Sequence, residues 1–311
     1  MDIIRIKNLN AGFPTKRGLV RAATSVDLTI REGECLGLIG ESGCGKTVLG
    51  MTIMRLLQPN TIISGEIFYK GQNLLALKEE EMRKLRGKEL GMILQNSTTS
   101  LNPVLSVGDQ IAEGIILHEG LRKKEAREKA TELLEKVQIK NAAVMSKRYP
   151  HEFSGGMRER AMIAIALACS PSFVIADEPT TGLDNRTMKG VISLLAEVAK
   201  SKSMLFITHD LAAASEICDT IAVMYAGEIV EWGDVDEVFS APLHPYTSGL
   251  LNSLPERGFI AIPGSSPSLI DLPGGCRFKE RCACSEERCA RAHPLMKEIS
   301  SSHKVRCHRY D

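Results

Sequence analysis

The apolar positions of this chain change period several times. Residues 3–9 alternate weakly, and residues 20–30 set Val26, Leu28 and Ile30 two apart. That spacing predicts half-exposed antiparallel strands. Residues 34–39, ECLGLI, form a short continuous apolar run closed by glycine, the pattern of a strand buried on both faces. A glycine-rich stretch comes next at 40–45. Helical period then runs from 46 to 57 and stops at Gln58 and Pro59. Residues 65–69 and 90–94 predict further strands. Residues 107–146 are helical in period and rich in charge, LRKKEAREKATELLEKV above all, and read as a solvated helix face. Ser154 opens a helix reaching about Ala168. Strands at 173–176, 204–208 and 221–225 then alternate with helices at 185–201 and 211–218.

Strands alternating with helices imply an α/β fold with a mainly parallel sheet and right-handed crossovers. The helical stretch in the middle reads as an insertion between two strands. After Ser240, prolines become frequent (Pro242, Pro245, Pro255, Pro263, Pro267 and Pro273), which marks a boundary to an irregular tail.

Composition narrows the class. The chain has 311 residues, enough for one large or two ordinary domains. Hydrophobic residues at 43% and charged residues at 25% are ordinary for a soluble globular protein. A net charge of +1 gives no global bias toward nucleic acid or anionic membrane. The opening MDIIRIKNLN lacks a basic region followed by a long apolar run, so no signal peptide is expected. The longest apolar run, 161–169, is far short of a membrane span. A cytosolic protein is expected, with any membrane role exercised through partners. Nine cysteines in such a chain argue against a disulfide framework. Cys35, Cys44, Cys169 and Cys218 are scattered and read as buried or incidental thiols. The other five, Cys276, Cys282, Cys284, Cys289 and Cys307, cluster near the end as metal sites do.

Candidate chemistry begins at residues 40–47, GESGCGKT, which fit G-x-x-x-x-G-K-[ST] between a buried strand and a helix start. Gly40, Gly43 and Gly45 let the backbone wrap closely, so that the N–H groups of Glu41, Ser42, Cys44 and their neighbours, with Val48 just behind, face phosphate oxygens. The helix N-terminus adds its positive end. Lys46 would reach the β- and γ-phosphates, and the Thr47 hydroxyl would take one Mg²⁺ position. In FVIADEP, 173–179, Asp177 and Glu178 project from a strand end. Ligands of open α/β sheets sit at that end. Asp177 would hold Mg²⁺, and Glu178 would polarise the water attacking the γ-phosphate. His209 closes MLFITHD, where an imidazole can bridge the γ-phosphate and that water. Gln95, closing GMILQ, could ligate Mg²⁺ and sense the nucleotide.

FSGGMRER, 153–160, supplies a second glycine-rich helix start. In this order GESGCGKT, Gln95, FSGGM, FVIADEP, TTGLD and His209 resemble the ATP-binding subunits of ABC transporters, over about residues 1–240. The resemblance implies a P-loop (RecA-like) α/β core with an antiparallel β subdomain and an inserted helical subdomain at about 96–170. It further implies that Ser154, Gly155, Gly156 and Met157 act on the ATP of an opposite subunit, that Asp184 belongs to the D-loop, and that Phe13 stacks on adenine. Met157 stands where the family signature usually has Gln, as it does in the peptide-importer branch.

The tail extends the resemblance. LHPYTSGLLNSLP (243–255), LPGGCRFKERC and VRCH resemble the C-terminal region of oligopeptide, dipeptide and nickel importer ATPases, in particular their D-type subunit. In that family the region is associated with an iron–sulfur cluster. By position its ligands would be Cys276, Cys282, Cys289 and Cys307. Four thiolates suit a [4Fe–4S] cluster or, alternatively, Zn²⁺, with Cys284 an extra thiol and His303 and His308 further zinc candidates. Arg277, Lys279, Arg281 and Arg288 would offset the thiolate charge. The resemblance thus implies an ATPase, using ATP and Mg²⁺, that powers peptide import. Import of nickel or a metal chelate is the alternative, and a soluble ABC ATPase of iron–sulfur assembly is a more distant one. The implied partners are a second, homologous ATPase in a heterodimer, two membrane permease subunits and an extracytoplasmic substrate-binding protein, with no nucleic acid. The implied location is the cytoplasmic face of the membrane, with residues 241–311 as a small Cys-rich extension.

Overall fold

The computed structural model describes residues 1–311, the side chain of Thr98 excepted. The chain opens with β1 (Asp2–Thr15), β2 (Gly18–Arg31), β3 (Cys35–Ile39), α1 (Lys46–Ile53), β4 (Ile62–Tyr69) and β5 (Gln72–Asn73). Next come α2 (Glu79–Leu85), β6 (Leu90–Ile93), α3 (Ser97–Ser100), α4 (Val107–Glu119), α5 (Lys123–Lys136) and α6 (Ala142–Met145). After these stand α7 (Gly155–Ala166), β7 (Phe173–Asp177), α8 (Asn185–Ala199), β8 (Ser203–Thr208), α9 (Leu211–Ile217) and β9 (Thr220–Tyr225). The last elements are β10 (Glu228–Asp234), α10 (Val235–Ser240), α11 (Pro245–Asn252), α12 (Glu287–Arg291), β11 (Lys297–Ser300) and β12 (His303–Val305). They fall into two compact units, one of Met1–Leu75 with Ile207–Asp311, the other Ala76–Phe206.

In the first unit, β2, β1, β4 and β5 make an antiparallel sheet in that order. β1 and β2 are longer than their alternation predicts because register shifts between Ile6 and Leu9 and between Leu9 and Ala11 break the period of two. A second set of strands starts from β3, which runs parallel to β9 with Leu36 opposite Thr220 and Ile39 opposite Val223. All five residues of β3 and all six of β9 are buried, as continuous apolar strands should be. β10 then pairs antiparallel with β9, β12 with β10, and β11 with β12.

The second unit holds β6 parallel to β7, with Leu90 opposite Phe173, and the helices α2 to α8. The charge run is α5, and it buries only Ala126, Ala130, Leu133 and Leu134, so its charges form a solvated face as predicted. Arg127 donates from Nε and Nη2 to the two oxygens of Asp109 at 2.7 and 2.9 Å, joining α5 to α4.

The segment beyond Ser240 has more regular structure than its prolines suggest. α11, β11 and β12 lie there, and β12 continues the sheet through β10. Among the described residues no helix is long and apolar enough to cross a membrane.

Candidate functional site

The P-loop comes after β3 and leads into α1. Its glycines are forced by space as much as by conformation. Gly40 has φ 154°, and a Cβ there would meet the Met224 carbonyl oxygen at 2.2 Å. Gly45 has φ 113°, and a Cβ would meet the Ala22 carbonyl oxygen at 2.0 Å. Any larger residue would push the loop off its seat. The Lys46 ammonium, 4% exposed, donates to the carbonyl oxygens of Gly40 and Glu41 at 2.7 and 3.1 Å. It thus lies folded back along the loop that a phosphate would enter. Burial pushes the Cys44 thiol up, which keeps it neutral. The Cys44 carbonyl accepts from the Gly227 N–H at 2.9 Å. Thr47 and Val48 begin α1. Phe13, half-buried, lies on β1 opposite Val20.

Glu41 is held from three places beyond Ser240. Arg281 donates from Nη2 to Oε1 at 2.8 Å and from Nη1 to Oε2 at 2.9 Å. The Ser266 hydroxyl donates to Oε2 at 2.6 Å, and the Glu41 N–H donates to the Tyr246 hydroxyl at 2.9 Å. Burial works against the Glu41 carboxylate, yet Arg281 and Ser266 outweigh it and hold its pKa below the usual range. Sequence reasoning missed all three partners. Tyr246 lies in the motif HPYTSGLL, but nothing in the spacing of Ser266 or Arg281 points to the P-loop.

In the second unit, Asp177 ends β7 and is 1% exposed. Glu178 comes next with φ 46°, a left-handed backbone that is costly for a residue with a side chain. Its Oε2 accepts from Gln95 Nε2 at 3.2 Å and from the Thr181 hydroxyl at 3.1 Å. Gln95 and Glu178, 83 residues apart in the chain, are therefore brought together. Ser154 caps α7, its hydroxyl accepting from the Met157 N–H at 3.3 Å. Gly155 and Gly156 form the first turn, where a Cβ on Gly156 would strike the Thr187 methyl at 2.2 Å. Asp184 caps α8, with Oδ1 accepting from the N–H groups of Arg186 and Thr187 at 3.0 and 3.1 Å. The Thr187 hydroxyl, donating to Oδ2, holds the Asp184 pKa down, with those backbone bonds adding to it. His209, in the first unit, is exposed beyond β8.

All five tail cysteines line one small pocket. Gly275 makes this possible, because a Cβ there would meet the Cys289 carbonyl oxygen at 2.2 Å, the same oxygen that accepts from the Cys276 N–H at 2.8 Å. Burial first, then the neighbouring thiols, pushes Cys276 up to about 11. Cys282 and Cys307 are raised for the same reasons. Five thiols around one pocket are the donor type such a group uses, although the raised pKa values favour the neutral thiol over the thiolate in the metal-free chain. The thiols do not yet converge, since among the described residues no three His, Cys, Asp or Glu side chains are grouped to hold a metal ion.

Two expectations about the tail are corrected. His303 does not line this pocket. Its Nε2 meets the buried Glu231 carboxylate at 2.7 Å. His308 does line it, but its ring nitrogens are engaged by Asp311 at 2.5 Å and the Ala292 carbonyl at 2.9 Å. Arg277 and Arg281 do not surround the thiols either. Arg277 pairs with Glu228 at 3.6 Å and donates to the Ala226 carbonyl, while Arg281 goes to Glu41. Lys279, Arg288 and Arg309 are the cations that line the pocket.

Residues 23–181 match the ABC transporter family, and residues 230–289 match the C-terminal region of oligopeptide/dipeptide transporters. The oligopeptide transport ATP-binding protein AppD of Bacillus subtilis is 43% identical, over 99% of this chain and 97% of that one. OppD of Escherichia coli, also an oligopeptide transport ATP-binding protein, is 42% identical over 94% and 89%. Among solved structures, the dimeric ATP-binding cassette MJ0796 in a post-hydrolysis state with ADP and Pi aligns with a TM-score of 0.68. It is 27% identical and covers 75% of this chain and 98% of its own. The chain belongs to the ABC transporter family, as an ATPase subunit of the oligopeptide type.

Proposed function

We propose that this chain hydrolyses ATP to power the import of peptides through an ABC transporter. The observation that carries the reading is a complete set of nucleotide motifs joined, in one chain, to the oligopeptide/dipeptide C-terminal region. The names of relatives such as AppD and OppD support it.

In this reading Lys46 and the P-loop amides of residues 40–48 bind the ATP phosphates, and Phe13 carries the adenine. Thr47, Gln95 and Asp177 serve Mg²⁺. Glu178 polarises the attacking water, with its carboxylate oriented by Gln95 and Thr181, and His209 assists. Ser154, Gly155, Gly156 and Met157 act on the ATP of a second, similar ATPase, with Asp184 at the same junction. An ATPase domain of about residues 1–240, with helices 96–170 inserted, would meet two membrane permease subunits through residues 96–103. The chain would then work as a D-type subunit on the cytoplasmic face of the membrane, with an extracytoplasmic protein delivering the peptide. The test is Glu178→Gln in the reconstituted transporter. ATP binding should persist while turnover and peptide uptake fall at least about a hundredfold. Uptake of a nickel chelate in place of peptide would overturn the substrate.

The cysteine pocket is proposed as the seat of a [4Fe–4S] cluster held by Cys276, Cys282, Cys289 and Cys307, with Zn²⁺ as the alternative. Support comes from the gathering of these thiols in one pocket. Such a group would brace an extension with little core of its own. Iron, sulfide and zinc content of anaerobically purified protein decides. About four irons per chain, lost in Cys276→Ser, is the expected result, and metal-free protein overturns the proposal.

A further inference from the structure

Glu41 occupies a variable position of the P-loop motif, yet residues beyond Ser240 restrain it heavily. The Arg281 fork closes on both carboxylate oxygens. Arg281 is itself fixed. Its Nε donates to the Pro263 carbonyl at 2.9 Å, and its guanidinium lies 5.7 Å from the Tyr225 ring centre and 5.9 Å from that of Phe278. Its side chain is 5% exposed, against 30% for Glu41. Planar, bidentate pairing of this kind fixes orientation as well as charge.

Glu41 also meets the P-loop lysine through its backbone carbonyl. Lys46 donates to the Glu41 and Gly40 carbonyl oxygens, so the residue whose carboxylate Arg281 holds, and whose N–H is held by the Tyr246 hydroxyl, also carries the backbone on which the ammonium rests. A triphosphate entering this loop meets a carboxylate on the residue next to Gly40. Paired with Arg281, that carboxylate is neutralised and held. Unpaired, it would repel the phosphates and compete with them for Lys46.

We propose that Arg281 is a positioning residue for nucleotide binding, acting through Glu41 from the C-terminal extension. It neutralises the Glu41 carboxylate and fixes the P-loop backbone around it. The inference rests on the ATP-binding reading and names a residue outside the recognised nucleotide motifs.

The experiment measures Mg-ATP affinity on the full chain with a fluorescent ATP analogue, together with KM and kcat in the assembled transporter. Arg281→Ala should weaken binding about tenfold, raising KM with little change in kcat. Arg281→Lys, which keeps the charge and loses the fork, should weaken it about threefold. The deciding variant is Arg281→Ala with Glu41→Gln. Removing the uncompensated carboxylate should restore affinity to within about threefold of the native chain. If Arg281 only braces the extension, the double variant will bind no better than Arg281→Ala, and the proposal fails. Should Arg281→Ala not fold, the same comparison between Arg281→Gln, which removes the charge but keeps a polar side chain, alone and with Glu41→Gln decides. Unchanged affinity in the folded Arg281 variants also overturns it. Because binding is read on the chain itself, failure to import peptide would sink the transport reading and leave this result standing.

Discussion

At the scale of single residues, position after a strand singles out Glu178 and Gln95 as candidates, but does not show that they meet. The left-handed backbone of Glu178 is invisible in FVIADEP, because Glu has no preference for it. Arg281 is legible only as a positive charge near thiols, since long-range pairing leaves no mark in local spacing. Glu159 carries no signal at all. It lies in α7, 5% exposed, and its Oε1 has no hydrogen-bond partner among the described residues. Burial raises its pKa from 4.5 to about 7, with only Ser97 opposing. Between those values the folded chain holds a proton that the unfolded chain has lost. Its stabilising contribution is therefore full below about 4.5, falls as pH rises, and is gone above about 7. Glu159→Gln removes the charge at every pH. It should stabilise the protein by about 2 kcal/mol at pH 8, a rise of about 4 °C in melting midpoint, and have little effect at pH 5. A variant whose midpoint tracks the native profile in parallel from pH 5 to 8 would refute this.

Among elements, the apolar strands β3, β7 and β9 are readable because each is a continuous buried run. β10 is not, because EIVEWGD carries two glutamates that are buried all the same. Glu228 is 3% exposed and meets His293 at 2.8 Å, and Glu231 is fully buried. Glu231 accepts from the Leu243 and His244 N–H groups at 2.7 and 2.9 Å, and His303 Nε2 lies 2.7 Å away. Every one of those partners comes later, in the supposedly irregular tail, so strand and tail can only be recognised together. His244 shows how tightly this is built. Its Nδ1 accepts from the Tyr246 N–H at 3.0 Å, capping α11, and must be unprotonated to do so. Burial lowers its pKa to about 4, against the pull of Glu231 and Glu228 and with the help of Arg306. The unfolded chain binds a proton here below pH 6.5 that the folded chain refuses. Stability is therefore present above about 6.5 and lost as pH falls toward 4, by up to about 3 kcal/mol. His244→Asn keeps a capping acceptor without the titration. The slope of melting midpoint against pH between 6.5 and 4 should shrink by that amount, whatever the variant loses in packing against Phe278. An unchanged slope would show that the acid sensitivity lies elsewhere.

For the whole molecule, composition draws a boundary at Ser240, whereas packing groups residues 207–311 with 1–75. The physical question is whether the chain before Ser240 can stand without the residues beyond it. Tyr225, at the end of β9, is fully buried, and the rings against it are Tyr246 at 4.5 Å and Phe278 at 5.2 Å, both beyond Ser240. Removing the extension would strip that cover, take β12 from β10, and leave Glu41, Glu228 and Glu231 without Arg281, His293 and His303. Each lost charge-assisted hydrogen bond costs about 1.5–3 kcal/mol. Three such carboxylates together match the roughly 5–15 kcal/mol that holds an entire domain folded. A chain ending at Ser240 should therefore give no cooperative melting transition for the first unit, and should not bind Mg-ATP. Calorimetry of the truncated chain checks this. A cooperative transition within about 5 °C of the full chain would mean a loss of only about 1–2 kcal/mol. The buried carboxylates would then have found other partners, and the extension would be an accessory to a cassette that folds without it.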